Sequence, residues 1–335
     1  MSAASISKPE YSVYIVSGST KYHITPAIDS ISISDQKKQM AKSVTIQLAN
    51  IKVGNSKLSA LLSARDRVYI HANDGSKSGE VFRGFLWDGD SKNALTDNHL
   101  QLKCYDNLIY FQESEESVYF SSGKSTKDVC SSLCDNWGVK LKYTYKSITH
   151  SKLALRGYLS DIFTADILDL VKDRTGKKYV IISEKDVMQI KGVGENSTIY
   201  HFKAKQNATQ TASRFTMDGM VTKVVILGKA DDNDREPVEA TVSGDTAKYG
   251  TLQKTINRDE NTSLADSKKE AQSIIDENGK PKWEYELKAV DVPWIRKGDK
   301  IYADAGDLSG YYIVVGIDRT ISRYKREMIL DLEKP

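Results

Sequence analysis

Gly123-Lys124-Ser125-Thr126 is the stretch whose residue types come nearest to catalytic machinery. A phosphate-binding loop ends this way, its lysine reaching the phosphates and the hydroxyl holding a divalent cation. Such a loop also needs a glycine five residues before the Gly of the Gly-Lys pair, so that backbone amides can curl around the anion. Position 118 is Val, and no buried parallel strand precedes it. Nucleotide binding is set aside, and Ser125 reads as a helix cap. Gly192-Val193-Gly194-Glu195-Asn196-Ser197 follows a strand pattern but lacks the third glycine and the helix of a dinucleotide fingerprint, which leaves a turn. The run Asp231-Asp232-Asn233-Asp234-Arg235-Glu236-Pro237 has no glycine at its sixth position and no distal Glu in register. It reads as a solvated loop rather than a calcium loop.

Cys130 and Cys134 stand at i, i+4 and share one helix face, but zinc needs two more ligands. Neither Cys104 nor any of His23, His71, His99, His150 and His201 lies nearby in sequence. Small buried hydrophobes are the better reading of these thiols. The histidines form no HxxxH or HxH pair, no Ser sits in a G-x-S-x-G elbow, and nothing points to a pair of hydrolytic carboxylates. No catalytic, cofactor-binding or metal-ligating residue is assigned, and no cofactor is expected.

The elements that would have to position any site are mostly strands. Tyr11 to Val16 and Lys21 to Thr25 flank Ser17-Gly18-Ser19-Thr20 as a hairpin. Val44, Ile46 and Leu48 alternate with polar residues, the pattern of a strand with one wet face. Ser56 to Ala64 reads as one short helix. Ser125 caps a helix carrying Val129, Leu133 and Trp137 on one face, and Gly138 ends it. A second helix starts near Ser160 or Asp161, presents Phe163, Ile167, Leu170 and Val171, and stops at Gly176. Residues 178–182 and 187–190 form another hairpin. Met220 to Leu227 is a near-continuous apolar run, as expected of a central buried strand. One further helix begins at Ser263, turns Leu264, Ala271, Ile274 and Ile275 inward, and ends at Gly279 and Pro281.

Composition narrows the class of function. A formal charge of +3 over 335 residues, with Lys and Arg scattered, leaves no electrostatic footprint for nucleic acid. Met1 to Tyr11 lacks the apolar core of a secretory signal, and no run reaches the ~18 apolar residues of a membrane span. Three cysteines, an odd count, suit synthesis in a reducing cytoplasm.

The two ends of the chain echo each other. Asp66-Arg67-Val68-Tyr69-Ile70 leads to Gly75, Gly79 and then Val81 to Trp87; Asp299-Lys300-Ile301-Tyr302-Ala303 leads to Gly306, Gly310 and then Tyr311 to Ile317. Each closes on a third apolar run, at Leu100-Gln101-Leu102 and at Met328 to Leu332. The same small β unit occurring twice suits a geometric role at least as well as a chemical one. Tyrosines in these strands (Tyr69, Tyr302, Tyr311, Tyr312) suit sheet faces that meet partners.

Four stretches together resemble the XkdQ-type baseplate hub proteins of contractile phage tails and phage-tail-like particles. They are Ile33 to Ile46, Phe120 to Asp128, Thr216 to Val221, and Trp283 through Val292-Pro293-Trp294-Ile295-Arg296-Lys297-Gly298-Asp299. The resemblance implies a non-enzymatic structural protein, made in the bacterial cytoplasm and built into a virion or tail-like baseplate. It implies a homotrimer between the six-fold tail tube, or a tube-initiator protein, and the three-fold central spike, beside other baseplate (wedge, LysM-type) proteins. The expected fold is mainly β, with two antiparallel β-barrel domains and a small α+β domain between them. The boundaries are 1–111 for the first barrel, 112–197 for the α+β domain, and 198–335 for the second barrel with an inserted helix at about 263–278. The rival is a tail-tip protein that binds or hydrolyses cell wall.

Overall fold

The computed structural model describes residues 8–93, 98–145, 147–229, 235–258 and 262–335; Asp231 to Asp234 of the acidic loop lie outside the described residues. The chain forms two compact units, one of Met1–Ala212 with Glu286–Pro335 and one of Ser213–Tyr285.

In the first unit, β1 (Glu10–Ser17) and β2 (Thr20–His23) make the expected hairpin, with Gly18 at φ 57° in its two-residue turn. β3 (Ile28–Asp35) and β4 (Ser43–Ala49) follow. Val44, Ile46 and Leu48 are fully buried while Gln47 is exposed, so the alternation read from sequence becomes a dry and a wet face. The helix expected over Ser56 to Ala64 does not form. Instead β5 (Lys52–Val53) and β6 (Ser56–Lys57) pair across a tight turn at Gly54, φ 62°, leaving only a single 3-10 turn at Leu58–Ala60. That turn seats Leu58 in the core, which accounts for the apolar signal. β7 (Arg67–Asn73), β8 (Ser78–Asn93) and β9 (Asn98–Tyr105) complete an antiparallel meander. Inner faces of β1, β3, β4, β7, β8 and β9 meet in one hydrophobic cluster.

The middle of the chain begins with α1 (Ile109–Gln112) and β10 (Glu115–Phe120), then α2 (Thr126–Asn136). Ser125 and Asp128 satisfy each other's backbone amides in a capping box, and Gly138 at φ 64° follows the helix end. β11 (Lys140–Tyr143) and β12 (Leu153–Tyr158) precede a helix built of α3 (Leu159–Asp161), a π-helical stretch Ile162–Leu168, and α4 (Asp169–Thr175). Gly176, φ 71°, stops it as expected. Phe163, Ile167 and Val171 are buried; the wider π turn adds Ile162 and Leu168 and leaves Leu170 at the margin. β13 (Tyr179–Glu184) and β14 (Val187–Gly192) form the second predicted hairpin, and β11 joins β14 in parallel. A separate cluster around Phe111, Leu133, Phe163 and Ile190 fills this part.

β15 (His201–Lys203) and β16 (Ala208–Thr216) lead into the second unit. There β17 (Lys223–Leu227) is central between β18 (Val238–Ser243) and β19 (Gln253–Asn257), as its apolar run predicted; α5 (Thr246–Tyr249) lies between the last two. α6 (Leu264–Asn278), capped by Ser263, packs Ala271 and Ile275 on Val224 and Ile226. Leu264, expected to face inward, is exposed, because the buried stripe begins one turn later at Ser267. β20 (Lys282–Val290) returns the chain to the first unit, where β21 (Lys300–Ala305), β22 (Leu308–Ser322) and β23 (Arg326–Glu333) form the closing meander.

The echo in the sequence is a true structural repeat. Strand order is β3-β4-β9-β8-β7 in one set and β16-β20-β23-β22-β21 in the other, the same path when each set is read in chain order. The match extends to single hydrogen bonds. Ser63 N–H donates to Asp66 Oδ2 at 2.7 Å, and Arg296 N–H to Asp299 Oδ2 at 2.8 Å. The residue before each aspartate has positive φ, Arg65 at 69° and Gly298 at 86°. Arg65 N–H reaches Leu86 O at 2.7 Å and Leu86 N–H reaches Asp66 O at 2.8 Å; Gly298 and Val314 with Asp299 repeat both bonds at 2.7 and 2.8 Å. A bulge follows at once in each case, between Leu86 and Asp88 and between Val314 and Gly316.

One difference joins the halves. The first part of β22 pairs with β21, and Ile317–Ser322 pairs antiparallel with β3, giving a sheet of 13 strands. Among the described residues no ladder closes either repeat into a ring.

Candidate functional site: a clasp across the repeats

Asp291 to Asp299, between β20 and β21, ties both repeats and the middle α+β part together. Asp291 is fully buried and accepts hydrogen bonds from the Arg319 guanidinium on β22 and the Tyr11 hydroxyl on β1. Arg319 also donates to Val292 O and Ile295 O, both at 2.8 Å. Trp294 Nε1–H donates to Asp74 Oδ2 at 2.5 Å in the β7–β8 turn, and the Lys77 ammonium lies 4.4 Å above the Trp294 ring. The Lys297 ammonium sits 2.9 Å from Asp35 at the end of β3 and donates to Gln36 O (3.1 Å) and Gln39 O (2.7 Å). Lys191 on β14 reaches Asp299 at 3.1 Å, and Gly194 N–H donates to Gly298 O at 2.8 Å. Gly298 is required here: a Cβ would stand 2.3 Å from Val180 Cγ1 at a φ that disfavours side chains.

Burying charge is unfavourable unless each ion is paired and hydrogen-bonded, as Asp35 with Lys297 and Asp291 with Arg319 are. Burial alone would raise the Asp35 pKa, but the Lys297 and Lys42 ammoniums reverse that and hold it below the ordinary carboxylate range. Lys42, 3.9 Å from Asp35, has its own pKa lowered by burial despite that carboxylate. Asp106 accepts from Lys42 N–H (3.1 Å) and Leu108 N–H (3.0 Å), yet burial pushes its pKa up to about 7. At Asp74, the Trp294 and Ser76 hydrogen bonds outweigh a burial effect of opposite sign and lower the pKa to about 2.

This network holds parts together and has no room for a metabolite. The cavity among Tyr11, Asp35, Lys42, Arg296 and Arg319 measures about 10 Å³, close to the least that admits one water. A larger open groove of about 900 Å³ runs past Lys37, Asp161, Asp169, Lys172, Glu195 and Glu333, a lining of both signs.

The motifs considered from sequence are dispersed. Ser125 is a cap, and Thr126 Oγ1 lies 2.9 Å from buried His150 Nε2. Gly192 ends β14, and Val193-Gly194 forms the turn that follows it. Cys104, Cys130 and Cys134 are buried free thiols; burial raises all three pKa values, that of Cys134 to about 12, so none is a ready nucleophile. Among the described residues no group of three or more His, Cys, Asp or Glu is placed to hold a metal. No described helix is long and apolar enough to cross a membrane. Sequence reasoning missed the clasp itself. Val292 to Asp299 stood out there only for its family likeness, and the further local trace is a charged residue inside a largely apolar strand, Arg319 in β22. The second unit carries an aromatic row of exposed Phe215 and Trp283 and half-buried Tyr285, with Phe215 and Trp283 edge-on at 5.8 Å and Trp283 stacked with Tyr285 at 6.4 Å.

Taken whole, the doubled β unit joined by a buried clasp has the fold of phage tail proteins. A tail protein from Neisseria meningitidis MC58 is 13% identical with a TM-score of 0.70, covering 97% of this chain and 96% of that one. The 43 kDa tail protein of prophage MuSo2 from Shewanella oneidensis is 12% identical at 0.69, covering 97% and 99%. A chain of the Francisella PdpA-VgrG complex is 11% identical at 0.58, covering all of this chain and 60% of that one. Residues 31–333 match the YQBQ-like family, and the chain belongs to it. The resemblance read from the four stretches is thereby borne out. No curated protein matches the chain.

Proposed function

We propose that this chain is a structural baseplate hub at the tip of a contractile phage tail or tail-like particle. In this reading it is a homotrimer that adapts a six-fold tail tube to a three-fold central spike. The observation that carries the proposal is the repeat, with the same strand path and the same turn hydrogen bonds at Asp66 and Asp299. Three chains with two such units each offer six nearly equivalent positions to a tube, while the parts present once per chain keep three-fold order toward a spike. The fold shared with tail proteins, and with a chain of a VgrG complex, supports tube and spike as partners.

The functional division follows 1–111, 112–197 and 198–335, with a barrel-type domain at each end of the chain and the α+β domain between them. Wedge and LysM-type baseplate proteins meet the outer parts. The chain acts without catalysis, is made in the bacterial cytoplasm, and ends in the virion or particle. Light scattering at micromolar concentration tests the trimer: about three times the 37.4 kDa chain mass is expected, and a stable monomer counts against it.

A further inference from the structure

The repeat identifies two strand edges that have counterparts already paired within the chain. β3, the first strand of its set, pairs with β4 on one side and with β22 on the other. Its counterpart β16 pairs with β20 and stands at the end of the sheet order. β22 past its bulge pairs with β23 and, through Ile317–Ser322, with β3. Its counterpart, β8 past its own bulge, pairs with β9 over Asp88–Asn93 and has no second strand partner among the described residues. Both edges are accessible: residues 88–91 are exposed, as are Thr209, Gln210 and Ala212. Residues 208–212 (Ala-Thr-Gln-Thr-Ala) also lack the charge, proline or bulge by which lone edges discourage pairing.

We infer that β8 of one copy, over residues 89–93, pairs antiparallel with β16 of the next copy, repeating between chains the β22–β3 junction made within each. The inference rests on the trimeric reading above and names its contact. Counting from the shared turn bonds, Leu86 corresponds to Val314, so Gly89 to Asn93 correspond to Ile317 to Ile321, the stretch that pairs with Asp35 to Ile31. A second bond fixes the neighbouring strands: Asn50 N–H donates to Asn98 O at 2.8 Å, and Asp291 N–H to Arg326 O at 3.0 Å. Each unit thus presents one donor edge and one acceptor edge. The contact is head-to-tail, and copies joined by it close into a ring when the rotation permits.

The test is disulfide trapping in the full chain. Ser91→Cys is combined in turn with Gln210→Cys, Thr211→Cys and Ala212→Cys to cover the register, with light scattering on the same samples. The native thiols are buried and stay out of the reaction. Support is a covalent ladder ending at three copies for at least one pair and absent for either cysteine alone. A trimer by mass with no cross-link from any pair overturns the edge pairing while leaving the hub reading intact. A monomer by mass overturns both. Hydrogen exchange on the unmodified chain is the independent readout should the variants misfold. Slow amides at 89–93 and 208–212 in the trimer support the pairing, and fast exchange at both overturns it.

Discussion

Lys297→Met cuts the clasp where the two repeats meet. Methionine keeps the stem and removes an ammonium that lies 2.9 Å from Asp35, with both side chains under a tenth exposed. Asp35 keeps Lys42, at 3.9 Å; Gln36 O keeps the Gln39 N–H, at 3.1 Å, and Gln39 O loses the ammonium. Removing one member of a buried ion pair costs ~3–5 kcal/mol, and each kcal/mol lowers Tm by ~1–2 °C in a chain of 335 residues, so a fall on the order of 5 °C is expected. Asp35→Asn beside it removes the stranded charge, so the double variant is expected to recover ~2 kcal/mol relative to additivity. Asp35 has a lowered folded-state pKa, so its contribution is present above the unfolded value of ~3.9 and lost as pH falls. The gap between Lys297→Met and the parent should narrow toward acid. Urea titration at pH 7 and at lower pH reads all three effects. A loss below ~1 kcal/mol, or strict additivity with Asp35→Asn, refutes the clasp.

Other consequences follow from the same geometry. Asp106 has a raised folded-state pKa of about 7, so its effect has the opposite sign: stability declines as pH rises from its unfolded value toward 7. Asp106→Asn should flatten that slope and gain most above pH 7 in pH-dependent denaturation. Gly298→Ala should cost more than ~2 kcal/mol, from strain at φ 86° and the clash with Val180, whereas Arg65→Gly at the equivalent turn should change stability by less than ~1 kcal/mol; thermal melts compare them. Trp294→Phe keeps the ring and loses the bond to Asp74, so the Asp74 pKa should rise from about 2 in carboxylate NMR titration. Purified peptidoglycan should fail to capture the chain, with Trp283→Ala behaving like the parent; capture lost in the variant would move the aromatic row to wall binding.

Much of the β framework was legible because its signals are local. Alternation in β4, the caps at Ser125 and Ser263, and the stop at Gly176 each act within a few residues. The doubled meander was visible because Asp66 and Asp299 begin equivalent turns. The full five-strand repeat was not, since the second unit interrupts it between β16 and β20. Ser56 to Ala64 misled because Leu58 is a buried plug beside a tight hairpin, which looks amphipathic in isolation. The clasp stayed hidden because Asp35 and Lys297 stand 262 residues apart, and only the folded sheet brings them together.

Under the proposed hub function, one chain carries two equivalent β units so that three copies imitate six. End-on electron microscopy of the assembled chain tests it most directly. The expected average is a ring of six similar β densities about 60° apart, built from three chains, with the single-copy parts at every second position. Six chains in the ring, or repeats lying at clearly different radii, would contradict it.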